Sequence, residues 1–285
     1  RTQLTNGYSK FLLFIVGEQI ENKPIPNMAA QAGRPVMNLL QFKGLPILEQ
    51  LHLEERLFRC SSSNWVVTND GTSPASIVMG ISGNRRADEL IEIGAVLKDN
   101  VPVIRRFTGG GTVIVDEGSL FVTLICNKNA VPEVQPYPRS IMSWTEELYS
   151  LVFGEDKEFH LRENDYVFND RKFGGNAQSI AKTRWLHHTS FLWDFDDKKM
   201  AYLKLPSRAP NYRSRRKHTD FVCRMKNYLS REDFMERLVV SLRTRFELCS
   251  VTVECVETCP SDLVHSTRML TEQELLNFLQ VAGGT

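Results

Sequence analysis

The sequence predicts an α/β fold, with helices and strands mixed along the chain, on three observations. Short β-branched apolar runs alternate with amphipathic helical stretches, the pattern of strands packed against helices. The 285 residues suffice for one large domain, and 42% apolar with 24% charged content is ordinary for a soluble globular chain. The most apolar early run, Phe11 to Val16, is far shorter than the roughly 20 residues of a membrane span, so no membrane association is expected. A net charge of +1 argues against a chain devoted to nucleic acid.

Taken in order, the chain begins without Met, and Met28 to Leu48 lacks acidic residues while carrying Arg34 and Lys43. Targeting segments are usually richer in Arg and Ser, so residues 1–36 are read as a leader, disordered or targeting, and 37–285 as a single domain. Ile47, Leu51 and Phe58 share a helical face over 47–59, a packing helix. Ile77 to Gly80 reads as a buried strand, and Ala87 to Asp99 as a helix leading into the strand Val101 to Ile104. Leu120 to Cys126 is a continuous apolar strand, central in its sheet. After a Pro-rich break, Ile141, Trp144, Leu148, Leu151 and Val152 mark a helix over 139–153. A strand, a tight Asn169-Asp170 turn and a second strand follow, then a strand from His187 to Phe195. Residues 205–219 form a surface loop with a basic cluster: Arg213, Arg215, Arg216, Lys217 and His218. Ser230 caps a core-facing helix over 231–247. Ser250 to Glu257 alternates like an edge strand, and Thr271 to Leu279 makes a last helix. Six cysteines in a chain of this length read as reduced thiols, and Cys255, Cys259 and His265 match no zinc spacing.

Two stretches carry chemistry. In Arg105-Arg106-Phe107-Thr108-Gly109-Gly110-Gly111-Thr112-Val113-Ile114-Val115-Asp116, an apolar strand runs into two arginines and a triple-glycine turn. Glycines let backbone approach a ligand closely, and a guanidinium fork suits a carboxylate or phosphate. By itself the stretch is equally a hairpin with solvated arginines. The second runs from Glu163-Asn164-Asp165 through Lys172 to Gly174-Gly175-Asn176-Ala177-Gln178. Read alone, it offers turns and a strand lysine reaching solvent.

Together the two stretches resemble the lipoate–protein ligase family, whose signatures are R-R-x-x-G-G-G-x-V-x-H-D and N-D…G-x-K-x-x-G-x-A. The resemblance spans roughly 38–225, and the 47–59 and His187-His188 segments are similar as well. It implies a biotin/lipoate protein ligase-type catalytic domain, a mixed and mostly antiparallel sheet carrying the glycine turn and the Lys172 strand side by side. The implied activity attaches lipoate, through lipoyl-AMP, to a lysine of apo lipoyl domains. Those acceptors belong to 2-oxoacid dehydrogenase complexes and the glycine cleavage H protein. The implied cofactors are ATP and Mg²⁺, and the implied compartment is mitochondrial or cytoplasmic. Lys172 falls at the catalytic lysine. Arg106, Thr108, Gly109, Gly110, Gly111, Asn164, Asp165, Gly175, Ala177 and His188 fall at lipoyl-adenylate-binding positions, and Asp165 is also the candidate metal ligand.

Departures from the family pattern limit the carry-over. Val115 replaces the usual histidine, Gly118-Ser119 replaces Gly-Asn, and of an Arg-x-Gln-Asn segment Asn84 alone remains. The expectation is a chain too short for a C-terminal accessory domain, which leaves open three routes: adenylation by this chain alone, adenylation with a separate accessory subunit, or acceptance of ready-made lipoyl-AMP. Two other readings stand beside it. One is a lipoyl or octanoyl transferase that does not activate with ATP, with Cys223 as a thioester nucleophile in one version. The other is a non-catalytic module binding nucleic acid or a partner through the Arg213 cluster.

Overall fold

The computed structural model describes residues 33–83, 87–154, 158–206, 209–256 and 264–282. Most of the expected leader, Asn84 and Cys259 lie outside them. In chain order the first half comprises β1 (Val36–Lys43), α1 (Ile47–Cys60), β2 (Asn64–Asp70), β3 (Ser76–Met79), α2 (Ala87–Leu90), α3 (Ile93–Lys98), β4 (Val103–Arg105), β5 (Val113–Val115) and β6 (Ser119–Asn127). The second half adds α4 (Pro138–Phe153), β7 (Phe159–Arg162), β8 (Asp165–Phe168), β9 (Arg171–Ile180), β10 (Arg184–Leu192), α5 (His218–Phe221), α6 (Arg231–Arg243), β11 (Glu247–Ser250), β12 (Arg268–Met269) and α7 (Glu272–Ala282).

The strands form two sheets rather than one. The larger has the order β11-β1-β2-β6-β10-β9-β8-β7, and the smaller β12-β4-β3-β5. Only the β11–β1 and β1–β2 pairs of the larger sheet are parallel, so it is mixed and mainly antiparallel as expected. The glycine turn belongs to the smaller sheet, which corrects the expectation of one sheet for both motifs. Its flanking strands do not form a hairpin either, because β3 lies between β4 and β5 and pairs with both.

Alternation along the strands sorts the side chains into layers. On one face of the larger sheet Leu120, Val122, Leu124, Phe173 and Phe191 pack with Trp144, Leu148 and Phe153 of α4 and Phe234, Leu238 and Leu242 of α6. On the other face α1 lies between the sheets. Its Ile47 and Leu51 meet Val78, Ile104 and Val115 of the smaller sheet and Phe121 of the larger, while Leu53 and Leu57 meet Trp65, Val67 and Ile125. The far face of the smaller sheet is covered by α2, α3 and α7.

Several local expectations shift. The 87–99 helix is broken where Ile91 pairs with Leu203. β11 is four residues long and ends at Ser250, where the expected 250–257 strand begins, and Val251 and Val253 then pack beside the Leu40–Val67 cluster. The valine alternation there reflects packing, not a ladder. Ser230 does cap α6, accepting from Asp233 N at 3.0 Å. Cys60 is disulfide-bonded, which departs from the reading of reduced thiols throughout, whereas Cys126, Cys223, Cys249 and Cys255 are free. No described helix is long and apolar enough to cross a membrane.

Candidate active site

A bulge in β9 decides which way its lysine faces. Val167 pairs with Lys172 and Tyr166 with Gly174, leaving Phe173 as the extra residue. Phe173 is fully buried in the α4 layer, and a Cβ on Gly174 would meet Tyr166 and Phe191 there. The phase shift puts Lys172 on the same face as Gly175, whose Cβ position lies 3.7 Å from Lys172 Nζ and 3.5 Å from Ser190 Oγ. Strict alternation would have paired Lys172 with Gly174 instead. Asp165, at the start of β8, projects to this face and receives Lys172 Nζ on Oδ1 at 2.6 Å. Its Oδ2 accepts from Tyr212 Oη at 2.8 Å.

The glycine loop lies directly against the same strand. Gly109 N donates to Gln178 O at 3.0 Å, and a Cβ on Gly110 would stand 2.9 Å from Asn176 O and 3.4 Å from Ala177 Cα. Gly110 has a φ of +116° and Gly80, at the end of β3, would collide with its carbonyl if it carried a Cβ. The loop thus needs glycine where β3, β9 and its own backbone converge. Arg106 turns inward rather than toward open space. Nη2 donates to Gly109 O at 3.1 Å and to Gly111 O at 2.8 Å, and Nη1 to Val78 O at 3.3 Å. Its burial lowers the guanidinium pKa to about 10, with the Glu54 carboxylate opposing the shift. Arg106 Nε and Thr108 Oγ1 are both buried without a hydrogen-bond partner. Val115, where the family has histidine, is part of the apolar layer.

His188 pairs with Ala177 across β10 and β9 and forms the floor. Its Nδ1 sits 3.0 Å from Glu54 Oε2 and 2.9 Å from Thr123 Oγ1, and Thr123 Oγ1 donates to Glu54 Oε1 at 2.7 Å. Gln50 Nε2 adds a further donor to Glu54 at 2.8 Å. Glu54 is wholly buried, so α1 does more than pack: it supplies the carboxylate at the centre of this network. Sequence reasoning missed Glu54, Gln50 and Thr123. A helix face carrying Gln50, Glu54 and Leu57 breaks its own apolar stripe, and that interruption was the available signal.

Residues 211–223, downstream of Leu203, cover the site from outside. Tyr212, Phe221 and Val222 pack on Val167, and Cys223 N donates to Lys172 O at 2.9 Å. Burial and the Asp165 charge raise the Tyr212 phenol pKa, which keeps it a hydrogen-bond donor. Asn164 is exposed in the β7–β8 turn and joins the site through its carbonyl, which accepts from Asn176 Nδ2 at 3.1 Å. Cys223 is buried and its thiol pKa is pushed up to about 11 by that burial. Both oxygens of Asp165 are engaged, and no cluster of three His, Cys, Asp or Glu side chains suited to a metal occurs among the described residues. In this arrangement the donor set does not fit Mg²⁺. Two surface depressions of about 590 and 620 Å³ lie away from Lys172, although Asn164 lines the second.

A family model of the lipoyl protein ligase A/B catalytic domain matches residues 46–247, most of the chain. The chain belongs to this family. Among relatives of this lipoyl ligase A/B chain, a protein described as inactive lipoate–protein ligase 2 of Plasmodium falciparum is 28% identical over 73% of the chain and 68% of the relative. The chain spans less than half the length of two mycoplasma relatives that it also matches. A bipartite lipoate protein ligase of Thermoplasma acidophilum superposes with a TM-score of 0.61 at 18% identity, covering 88% of this chain and 93% of that one. A lipoate-protein ligase A bound with ATP gives 0.60 at 18% identity over 78% and 91%. These likenesses establish the ligase fold.

Proposed function

We propose that this lipoyl ligase A/B chain attaches lipoate to a specific lysine of apo lipoyl domains through a lipoyl-AMP intermediate. The observation that carries the reading is the convergence of the Lys172 ammonium, the bare backbone of Gly175 beside the small Ala177, and the glycine loop on one sheet face. Adenylation requires a carboxylate oxygen to attack the ATP α-phosphorus while the bond to pyrophosphate breaks. Two anions meet in that step, and a fixed cation between them lowers the barrier. Lys172 is a compact point charge in position for this role. In transfer the acceptor amine attacks the acyl carbonyl, the bond to AMP breaks, and the amine loses a proton. Lys172 then polarises the carbonyl oxygen. Thr108, Gly109, Gly110 and Gly111 line the adenylate side, held in shape from within by the buried Arg106, which, contrary to expectation, does not reach the ligand, with His188 beneath and Asn164 and Asp165 at the rim.

ATP as co-substrate is supported by the ATP-bound neighbour. No step is routed through Mg²⁺, given the committed oxygens of Asp165. The proposed acceptors are lipoyl domains of 2-oxoacid dehydrogenase complexes and the glycine cleavage H protein. The bipartite neighbour supports a separate accessory subunit. A second reading, transfer from ready-made lipoyl-AMP without ATP activation, is favoured by Val115 and by the inactive P. falciparum relative. A thioester on Cys223 is disfavoured by its burial and its raised pKa, since thiolates are the nucleophiles.

The test is to incubate the protein with lipoate, Mg²⁺-ATP and an apo lipoyl domain and to weigh the domain by mass spectrometry. A parallel reaction receives lipoyl-AMP in place of lipoate and ATP. Lipoylation in both arms supports the ligase, and lipoylation with lipoyl-AMP alone supports the transferase. Unmodified domain in both arms overturns the proposal.

A further inference from the structure

Residues 264–270 form a strap, downstream of both signature stretches, that runs against the strand leading into the glycine loop. Its β12 pairs with β4, Arg268 opposite Arg105 and Met269 opposite Ile104, and Leu270 N donates to Val103 O at 2.8 Å. The ladder stops at Arg105. Beyond it, Arg106 N donates to Met79 O at 3.0 Å and Thr108 O accepts from Ile81 N at 3.0 Å, both on the β3 side. Groups of an extended chain alternate in direction, so Phe107 N faces the strap. The strap carbonyl nearest in sequence, Ser266 O, is engaged by Arg105 Nη2 at 3.0 Å. The Thr267 hydroxyl accepts the Phe107 amide instead, at 3.1 Å.

That hydroxyl is held in one place. Thr267 is 1% exposed, and its β-branched side chain has few rotamers. Glu55, wholly buried on α1, accepts from Thr267 N at 3.0 Å and from Ser266 N at 2.8 Å. His52 Nε2 donates to Thr267 O at 3.0 Å, and Arg59 Nη2 donates to Ser266 Oγ at 2.7 Å. Two consecutive carboxylates of α1 thus serve opposite sides of the site, Glu54 beneath His188 and Glu55 beneath the strap. Without the hydroxyl a buried N–H loses its acceptor, and the loop entry gains by moving until water reaches the amide.

We propose that Thr267 is a positioning residue for the lipoyl-adenylate loop. Its hydroxyl fixes Phe107, and through Phe107 it sets Thr108 and the glycines against β9. The inference rests on the acyl-adenylate reading above and gives that reading a supporting residue far from both motifs. Lys172 keeps its own contacts on β9 and to Asp165, which the strap does not touch. Thr267 therefore governs how tightly the acyl-adenylate is held and leaves the chemistry at Lys172 nearly unchanged.

The experiment measures lipoyl-AMP affinity of the full chain by calorimetric titration, and single-turnover transfer at saturating lipoyl-AMP. Thr267→Val keeps the branched shape and removes the hydroxyl. It should weaken lipoyl-AMP about five- to a hundredfold, the range for orphaning a buried amide, with the saturated rate within about threefold of the parent. Thr267→Ser restores the hydroxyl and should bind within about threefold of the parent. Val264→Ala, at an exposed strap position, should match the parent. A purely structural role would lower the melting temperature of Thr267→Val and leave its affinity intact. A loss below about fivefold in folded Thr267→Val, or one that Thr267→Ser fails to recover, overturns the proposal and leaves the acyl-adenylate reading standing. If Thr267→Val fails to fold by circular dichroism, amide exchange of the parent decides. Coupling is reciprocal, so saturating lipoyl-AMP should slow exchange at Phe107 and Thr267 about fivefold or more, and a smaller change overturns the proposal. A parent that binds no lipoyl-AMP overturns both readings.

Discussion

The three glycines of the signature loop should not be equivalent, and alanine substitution separates them. At Gly110 an added Cβ would lie 2.6 Å from Arg106 Nη2, 2.9 Å from Asn176 O and 3.4 Å from Ala177 Cα, on backbone with a φ of +116°. Backbone of that hand costs an L-residue about 1–2 kcal/mol. The crowded guanidinium would also surrender at least one of its bonds to Gly109 O and Gly111 O, worth about 1.5–3 kcal/mol for a charged donor. The sum is roughly 2.5–5 kcal/mol. At about 3 °C per kcal/mol for a chain of this size, Gly110→Ala should melt roughly 8–15 °C below the parent. At Gly111 the Cβ position has nothing within 4 Å, so Gly111→Ala should stay within about 0.5 kcal/mol of the parent. Differential scanning calorimetry of the two variants under identical conditions is the assay. If the two melt within about 2 °C of each other, the convergence of β3, β9 and the loop at Gly110 does not govern stability.

Lys172→Ala should slow single-turnover transfer from lipoyl-AMP by about 10²–10³, with Lys172→Arg recovering little and Lys182→Ala unchanged; a Lys172→Ala rate within threefold of the parent removes it from the mechanism. Glu54→Gln strips the charge facing buried Arg106 and unbalances the Thr123–His188 network, and should cost about 3–5 kcal/mol in urea unfolding; a loss under about 1 kcal/mol would mean the network is dispensable. His187 is buried between Tyr166, Thr189 and Gln178, and its folded pKa is lowered to about 3 from 6.5. The unfolded chain therefore binds the extra proton first, so this group's stability is fully present above pH 6.5 and falls by about 1.4 kcal/mol per unit as pH drops toward 3. Stability measured from pH 7 to 4 should fall less steeply in His187→Gln than in the parent. Cys223→Ser should retain transfer from lipoyl-AMP; a folded variant that has lost it points to a thioester.

Much of the architecture was legible because it rests on local periodicity. The β6 and β10 strands, the α4 and α6 helices and the Asn169-Asp170 turn all announce themselves by apolar spacing or turn chemistry. The site motifs were legible for another reason, the resemblance of two short segments to a family. What the sequence left hidden is long-range or out of phase. The Phe173 bulge reverses the expected partner of Lys172, and no residue type marks it beforehand. β3 takes the place of a hairpin partner between β4 and β5, a pairing that only tertiary contacts decide. Glu54 lay inside an otherwise ordinary amphipathic helix, and Arg213 looked like one of several loop cations until packing turned it inward.

The strap at residues 264–270 bears on how the protein is made. Arg268 pairs with Arg105, Thr267 Oγ1 accepts from Phe107 N, and Ser266 and Thr267 N–H groups are held by Glu55 of α1. The strand entering the glycine loop thus has its last neighbour more than 160 positions downstream. During synthesis the lysine strand can pair with its hairpin partners soon after it leaves the ribosome, whereas the loop facing it must wait for nearly the whole described chain. A nascent chain arrested before residue 264 should therefore protect the β8–β10 amides from exchange and leave open only those β4 amides that face β12 rather than β3.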